Sequence, residues 1–257
     1  MIELDCQSRH SALESVSVIY GVPPSDIEGF LRETDLDDHY ERLKPPRMAD
    51  AEITRLFEQS FKRHPAPLQR VFWFHLTRAR AGSDFRNGLL PLDDALPELW
   101  QTILTVFRGT TYESGLRLLK ENGVPNHHYC LKVGQPLHGG PYGMLVRETA
   151  FRSDEMGNHD YLWLPEIMED ICNGYHQVYG ERIDEQLCNA LTPYIVKFWS
   201  TKRLGRDCIE SAMYYLYLTA HSQELSIGAN TCFDGENSCV AATQIVKVEA
   251  VGLPSHG

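Results

Sequence analysis

The side chains best suited to catalysis or ligand binding lie at the end of an apolar, aromatic-rich run at positions 71–76. Such a run is typical of a buried strand. His75 and Thr77 stand two positions apart, so in a strand their side chains point to the same face. An imidazole and a hydroxyl on an apolar strand need hydrogen-bond partners, which either a ligand or the protein core can supply.

The residues after this strand predict a sharp change of direction. Positions 79–87 are long enough for about two helical turns, and Gly88 stands where a helix would end. We therefore expect a strand, a short helix and then the Gly-Leu-Leu-Pro segment that begins at Gly88.

A second group of chemically useful residues begins with the strand-like run 194–201, which ends in aromatic and hydroxyl side chains. The aromatic candidates at its end are Phe198 and Trp199. A basic loop leads from there into a helix that carries Ser211 and Tyr214. Flat aromatic faces can hold a flat ring between them, although aromatic residues at helical spacing also pack in cores.

A third group is centred on Glu249, the one acid in the apolar run 244–251. Strand alternation puts Glu249 on the same face as Ile245 and Lys247. A carboxylate in this position can stabilise developing positive charge, or it can simply pair with Lys247 on an edge strand. The preceding loop, 227–242, is rich in Gly, Asn and Ser, as substrate-contacting loops often are.

A glycine-rich turn at 137–143 precedes another strand-like run and contains Tyr142. Glycines allow a ligand to approach the backbone closely, so Tyr142 and Arg147 are candidates for the same cleft. A hairpin turn explains the glycines equally well.

In chain order, these segments resemble the three motifs of ADP-ribosyltransferases of the His-Tyr-Glu kind, a group that includes the poly(ADP-ribose) polymerases and toxins that modify DNA. The resemblance implies that His75 and Thr77 bind the adenosine-side ribose of NAD. It also implies that Tyr214, in the Ser-Ala-x-Tyr helix with Ser211, stacks on nicotinamide. Glu249 would hold the nicotinamide-side ribose and stabilise the oxocarbenium-like centre.

The chain departs from the family pattern at several points. The strand aromatic is Phe198 or Trp199 rather than tyrosine, and the loop before the helix is longer than usual. The interval between positions 77 and 194 implies a helical insertion, so the resemblance covers roughly half of the chain. An Arg-Gly-Thr sequence offers Arg108 as an alternative ribose contact, although the residues before it have a helical pattern.

Composition restricts the classes of protein to consider. The chain has 257 residues, 42% of them hydrophobic, and a net charge of −11, so it can build a sizeable core and gains nothing by binding polyanions non-specifically. Seven cysteines without a Cys-x-x-Cys pair favour reduced thiols in the cytoplasm. No metal-ligand spacing and no membrane-spanning run occur, so we expect neither a metal site nor membrane insertion.

The order of predicted elements indicates the α+β class. Residues 1–66 predict a helical N-terminal region, and residues 67–257 an α+β domain, for which the resemblance to the ADP-ribosyltransferases implies a split, mixed sheet with a helical insertion. The predicted strands are 71–76, 129–133, 142–147, 194–199 and 244–251. The helical hairpin at 11–43 is too acidic to read DNA, because its second helix carries Asp26, Glu28 and Glu33 against Arg32.

Two functions remain as expectations. The first is NAD-dependent transfer of ADP-ribose to a macromolecule, nucleic acid or protein, by a cytoplasmic toxin or phage-defence effector, with an antitoxin or other protein as a further partner. The second is a catalytically inactive α+β interaction protein whose acidic N-terminal hairpin docks a partner.

Overall fold

The architecture comes from a computed structural model, which describes residues 1–36, 48–134 and 139–252. This part of the chain contains ten α-helices and six strands, so the predicted α+β class is confirmed. Among these helices, none has both the length and the apolarity required to cross a bilayer.

The helices are numbered in chain order: α1 Arg9–Tyr20, α2 Pro24–Glu33, α3 Ala49–Phe61, α4 Leu92–Val106, α5 Glu113–Asn122, α6 His127–Lys132, α7 Ser153–Met156, α8 Glu166–Tyr179, α9 Asp184–Ala190 and α10 Arg206–Ala220. Short 3-10 turns cover Arg147–Phe151, Ile227–Ala229 and Ala242–Gln244.

The strands form one mixed sheet. They are β1 Glu3–Leu4, β2 Arg70–Ala79, β3 Tyr142–Met144, β4 Thr192–Ser200, β5 Cys232–Asp234 and β6 Ile245–Ala250. Their order is β5-β3-β2-β4-β6, and β1 pairs with the beginning of β2. The β1–β2 pair is parallel, whereas β2–β3 and β4–β6 are antiparallel.

The chain divides into two compact units, and the predicted division at residue 66 stays a prediction. The first unit consists of Met1–Phe74, Gly143–Asn158 and Trp199–Phe233. The second consists of His75–Tyr142, His159–Phe198 and the described chain from Asp234 onward.

In the first unit, the N-terminal helices pack against α10. Edge-to-face and tilted contacts join Tyr20, Phe30, Phe57 and Phe61. These aromatic rings supply much of the apolar area that holds α1, α2 and α3 together. Residues 37–43 of the predicted hairpin lie outside the described part of the chain.

In the second unit, a core of buried side chains joins α4, α5, α8 and α9. Arg78 of β2 is buried beside it, and its guanidinium donates to the carbonyl oxygens of Leu162 at 2.7 Å and Leu191 at 2.8 Å. It also donates to the carbonyl of Cys188 near the end of α9. The buried guanidinium therefore supplies donors to carbonyls at the C-terminal end of α9 and in the turn before α8.

The helix predicted for residues 79–87 is wrong. Strand β2 runs through Ala79, and the chain then turns without a helix. Gly82, Phe85 and Gly88 have φ angles of 80°, 51° and 82°, which a right-handed helix does not allow.

The strand predicted for residues 129–133 is also wrong, because most of this segment lies in α6. The side chain of Asn126 accepts from the amide of Tyr129, which caps the helix. The predicted strand at 142–147 is shorter than expected, since β3 ends at Met144 and Arg147 begins a 3-10 turn.

Candidate functional site

His75 and Thr77 lie in β2, and both residues are half-buried. Nδ1 of His75 is 2.7 Å from the carbonyl oxygen of Tyr142. A carbonyl can only accept, so Nδ1 carries the proton and Nε2 is the acceptor of the neutral ring. Burial lowers the pKa of His75, and the bond to the carbonyl offsets part of that effect. The neutral imidazole is therefore the form at neutral pH.

Tyr142 begins β3, and its side chain is 44% exposed, unlike most large apolar residues of the unit. Burial of the phenol raises its pKa, and the negative charges of Asp234 and Glu166 add to the effect. The hydroxyl is consequently protonated at neutral pH and can donate a hydrogen bond.

The segment before Tyr142 packs backbone to backbone against a loop near the C-terminus. The amide of Gly235 donates to the carbonyl of Pro141 at 2.9 Å, and the amide of Asn237 donates to Gly140 at 3.1 Å. The side-chain oxygen of Asn237 lies 1.4 Å from the point where a Cβ on Gly139 would be. A side chain at position 139 would therefore force the side chain of Asn237 to move.

The Gly-Leu segment after β2 joins the same loop. Leu89 and Val240 exchange two main-chain hydrogen bonds of 2.9 Å. A Cβ on Gly88 would be 2.1 Å from the carbonyl oxygen of Val240. We refer to residues 88–89, 139–142 and 235–240 as the loop cluster. His75 is bound to it through Tyr142.

The two strand aromatics differ in environment. Phe198 is fully buried, and it is opposite Ile245 in the β4–β6 ladder. Trp199 is half-buried, and the guanidinium of Arg70 lies over its ring at 5.2 Å and over that of Phe72 at 5.3 Å. The ring of Trp199 is therefore already in a cation–π contact.

Ser211 and Tyr214 lie on α10. Ser211 is buried, whereas Tyr214 is half-buried. The ring of Tyr214 stacks on that of Tyr217 with centroids 6.1 Å apart and packs against Gly228. Its hydroxyl is 3.5 Å from the hydroxyl of Ser226. Tyr214 thus contributes to packing between α10 and the 3-10 turn.

Glu249 lies in β6 opposite Ile195. The ammonium of Lys247 donates to Glu249 Oε2 at 3.0 Å. The pairing that the sequence left open is therefore formed, between side chains that are 26% and 52% exposed. Lys197, which is buried, lies opposite Lys247 in the same ladder.

Of the predicted site residues, the structure brings His75 and Tyr142 into direct contact, with Thr77 on the same strand face. The second unit, which contains His75 and Tyr142, also contains Phe198 and Glu249. The first unit contains Trp199, Ser211 and Tyr214. Helix α4 ends just before Arg108, so the helical pattern expected before this residue is confirmed. Arg108 itself is exposed in the turn that follows.

Sequence reasoning missed the role of Asn237 in fixing Gly139. The turn-forming run around Gly235 and Asn237 was the available signal, since Asn tolerates a positive φ, and Asn237 has a φ of 60°.

All seven cysteines are free thiols. In the part of the chain that the structure covers, His, Cys, Asp and Glu side chains form no group of three or more suited to a metal ion. Comparison of the chain with protein families, curated proteins and solved structures finds no match.

Proposed function

We propose that the protein is an NAD-dependent ADP-ribosyltransferase whose acceptor is a macromolecule, either nucleic acid or protein. The orientation of His75 carries the proposal. Its Nδ1–H is held by the Tyr142 carbonyl at 2.7 Å, so Nε2 of the neutral ring can only accept a hydrogen bond. A ribose hydroxyl is a suitable donor, and Thr77 adds a second polar group on the same strand face.

The loop cluster supports this assignment because it fixes the main chain around His75. Two backbone hydrogen bonds and the close contact of Asn237 with Gly139 hold residues 139–142 in position. A ribose contact benefits from such rigidity, since a preorganised group loses little freedom on binding. The exposed ring of Tyr142 is the aromatic surface that we assign to NAD in this unit.

The catalytic role that we assign to Glu249 is electrostatic. The bond between C1′ of the nicotinamide-side ribose and the nicotinamide nitrogen breaks, and nicotinamide leaves with the electron pair. An acceptor nucleophile then bonds to C1′ and loses its proton. A carboxylate near C1′ stabilises the positive charge that develops there.

The ion pair with Lys247 is compatible with this role. Both side chains are partly exposed, so opening the pair costs about 1 kcal/mol or less. That cost is small beside the several kcal/mol that a well-placed charge contributes to a transition state.

The side chain of Phe198 is fully buried, so it offers no ring face to nicotinamide. The roles of Trp199, Ser211 and Tyr214 stay expectations from the family resemblance, because these residues belong to the first unit and His75 and Glu249 to the second. In the cell, we propose action as a cytoplasmic toxin or phage-defence effector, with an antitoxin or other protein as its partner.

NAD binding tests the proposal most simply. A ligand that binds only the native state raises the melting temperature with concentration. We expect NAD to stabilise the protein, and His75→Ala to lose most of that shift. The exposed His128, in the same unit, offers a matched control as His128→Ala. A full shift in His75→Ala, with its loss in Arg108→Ala, would reassign the ribose contact to Arg108.

The second candidate is the catalytically inactive interaction protein. The contacts of Glu249 with Lys247 and of Tyr214 with Tyr217 favour it, because both are structural roles for residues assigned to NAD. In the acidic hairpin, Glu28 pairs with Arg9, and the hydrogen bond from Arg9 lowers the pKa of Glu28. Absence of any NAD-dependent stabilisation would favour this function.

A further inference from the structure

Strand β6 lies at the end of the sheet order. Among the residues that the structure describes, the strand it pairs with is β4. The amide of Val251 donates to the carbonyl of Pro193 at 3.0 Å, directly opposite in the ladder. Hydrogen-bonded pairs alternate along an antiparallel ladder, so 247 and 249 also direct their main-chain groups toward β4.

Val248 and Ala250, the alternate residues in the regular part of the ladder, direct their main-chain groups away from β4. Val246 lies at the register shift between the pairs Lys197–Lys247 and Phe198–Ile245, so this alternation does not extend to it. Val246 is 54% exposed, and Ala250 is exposed as well. An edge of this kind is a template for another strand.

We propose that this edge pairs with β6 of a second copy of the chain, antiparallel and about a two-fold axis at Val248. Val248 then lies opposite its own counterpart and forms a hydrogen-bonded pair with it, because the amide and carbonyl of Val248 point outward. Ala250 lies opposite the register shift at Val246 of the other copy. The interface is isologous, as the interfaces of two-fold symmetric dimers are.

Charge selects this register. With the axis at Val248, Lys247 of each copy faces Glu249 of the other at the positions where opposed side chains come closest. A shift of one copy by two residues in either direction keeps the same residues hydrogen-bonded. One such shift puts Lys247 opposite Lys247, and the other puts Glu249 opposite Glu249. Like charges directly opposite destabilise a ladder. An edge lysine normally deters strand pairing, but Lys247 already pairs with Glu249 of its own chain at 3.0 Å, and the second copy places a further carboxylate opposite it.

The proposal does not depend on the proposed function, because self-association of the chain is measured without NAD. Pairing at the edge extends the sheet and adds no cover over either of its faces. Only a few residues of each copy meet, so the dimer is weak and depends on concentration.

Sedimentation velocity of the intact chain over a concentration series, up to about 1 mM, tests the proposal. We expect the mass to rise from 29.3 kDa toward twice that value. Lys247→Glu and Glu249→Lys should each weaken self-association by about tenfold or more, because each creates two like-charged pairs. An equimolar mixture of the two variants should form a heterodimer, and the double swap should restore the homodimer.

Val248→Pro provides an independent test that spares the fold. The amide of Val248 points outward, so proline there removes both central intermolecular hydrogen bonds, one from each copy, and leaves the β4–β6 ladder in place. We expect this variant to have the circular dichroism spectrum of the wild type and to sediment as a monomer. A wild-type chain that stays monomeric throughout the series, or charge variants that associate as the wild type does, would overturn the proposal.

Discussion

The Nδ1 atom of His75 is bound to the main-chain carbonyl of Tyr142, 67 positions away in sequence, at 2.7 Å. The main chain therefore sets the tautomer of the imidazole, and substitution of the Tyr142 side chain leaves that bond in place. The lowered pKa of His75 follows from its burial, with the carbonyl acting in the opposite direction.

Stability should fall in mild acid because of His75. Its folded-state pKa is below the unfolded value of about 6.5, so the unfolded state binds more protons between the two values. The contribution of His75 to the free energy of unfolding is fully present above its pKa in the unfolded state. It is lost as the pH falls toward its pKa in the folded state. Denaturant unfolding from pH 7.5 downward should show a shallower pH dependence for His75→Gln. Equal slopes for the variant and the wild type would contradict this account.

Gly139→Ala should destabilise the protein by about 1–3 kcal/mol, because the new Cβ overlaps the side-chain oxygen of Asn237. Asn237→Gly removes that oxygen and suits the positive φ at this position. In urea unfolding, the double variant should recover most of the loss caused by Gly139→Ala alone. Strictly additive effects would mean that the two residues do not oppose each other.

Arg78→Met should cost about 3 kcal/mol or more in the free energy of unfolding, because three buried carbonyls lose a charged donor and only that of Cys188 keeps a bond from the amide of Leu191. Arg80→Met is the matched control, since Arg80 is more exposed and makes weaker contacts, including 3.2 Å to Thr105. We expect the control to change stability by less than about 1 kcal/mol. Similar losses for both variants would show that the buried hydrogen bonds of Arg78 are not decisive.

The sequence predicted the strands better than the connections. Strand β2 followed from its run of β-branched and aromatic residues, and β4 and β6 followed from similar runs. The helix predicted before Gly88 was wrong because residues in the left-handed region, such as Phe85 with a φ of 51°, depend on tertiary context. The strand predicted at 129–133 was wrong because the Asn126 cap outweighed an ambiguous apolar pattern.

The candidate site was only partly predictable for a related reason. Types and spacing singled out His75 and Tyr142, but the bond between them joins a ring to a main-chain oxygen, which leaves no signature in side-chain identity. The burial of Phe198 and the contact of Asn237 with Gly139 are likewise decided by packing between segments distant in sequence.

The most direct test of the proposed activity is release of nicotinamide from NAD, measured with wild-type protein and cell lysate as the source of acceptor. We predict release by the wild type and a fall of about 10² or more in Glu249→Gln, with NAD binding and melting temperature nearly unchanged. Lys247→Met is the control, because it removes the ion-pair partner at 3.0 Å and keeps the carboxylate. Equal release by Glu249→Gln and the wild type would contradict the assignment of Glu249, and absence of release by the wild type would contradict ADP-ribosyl transfer itself.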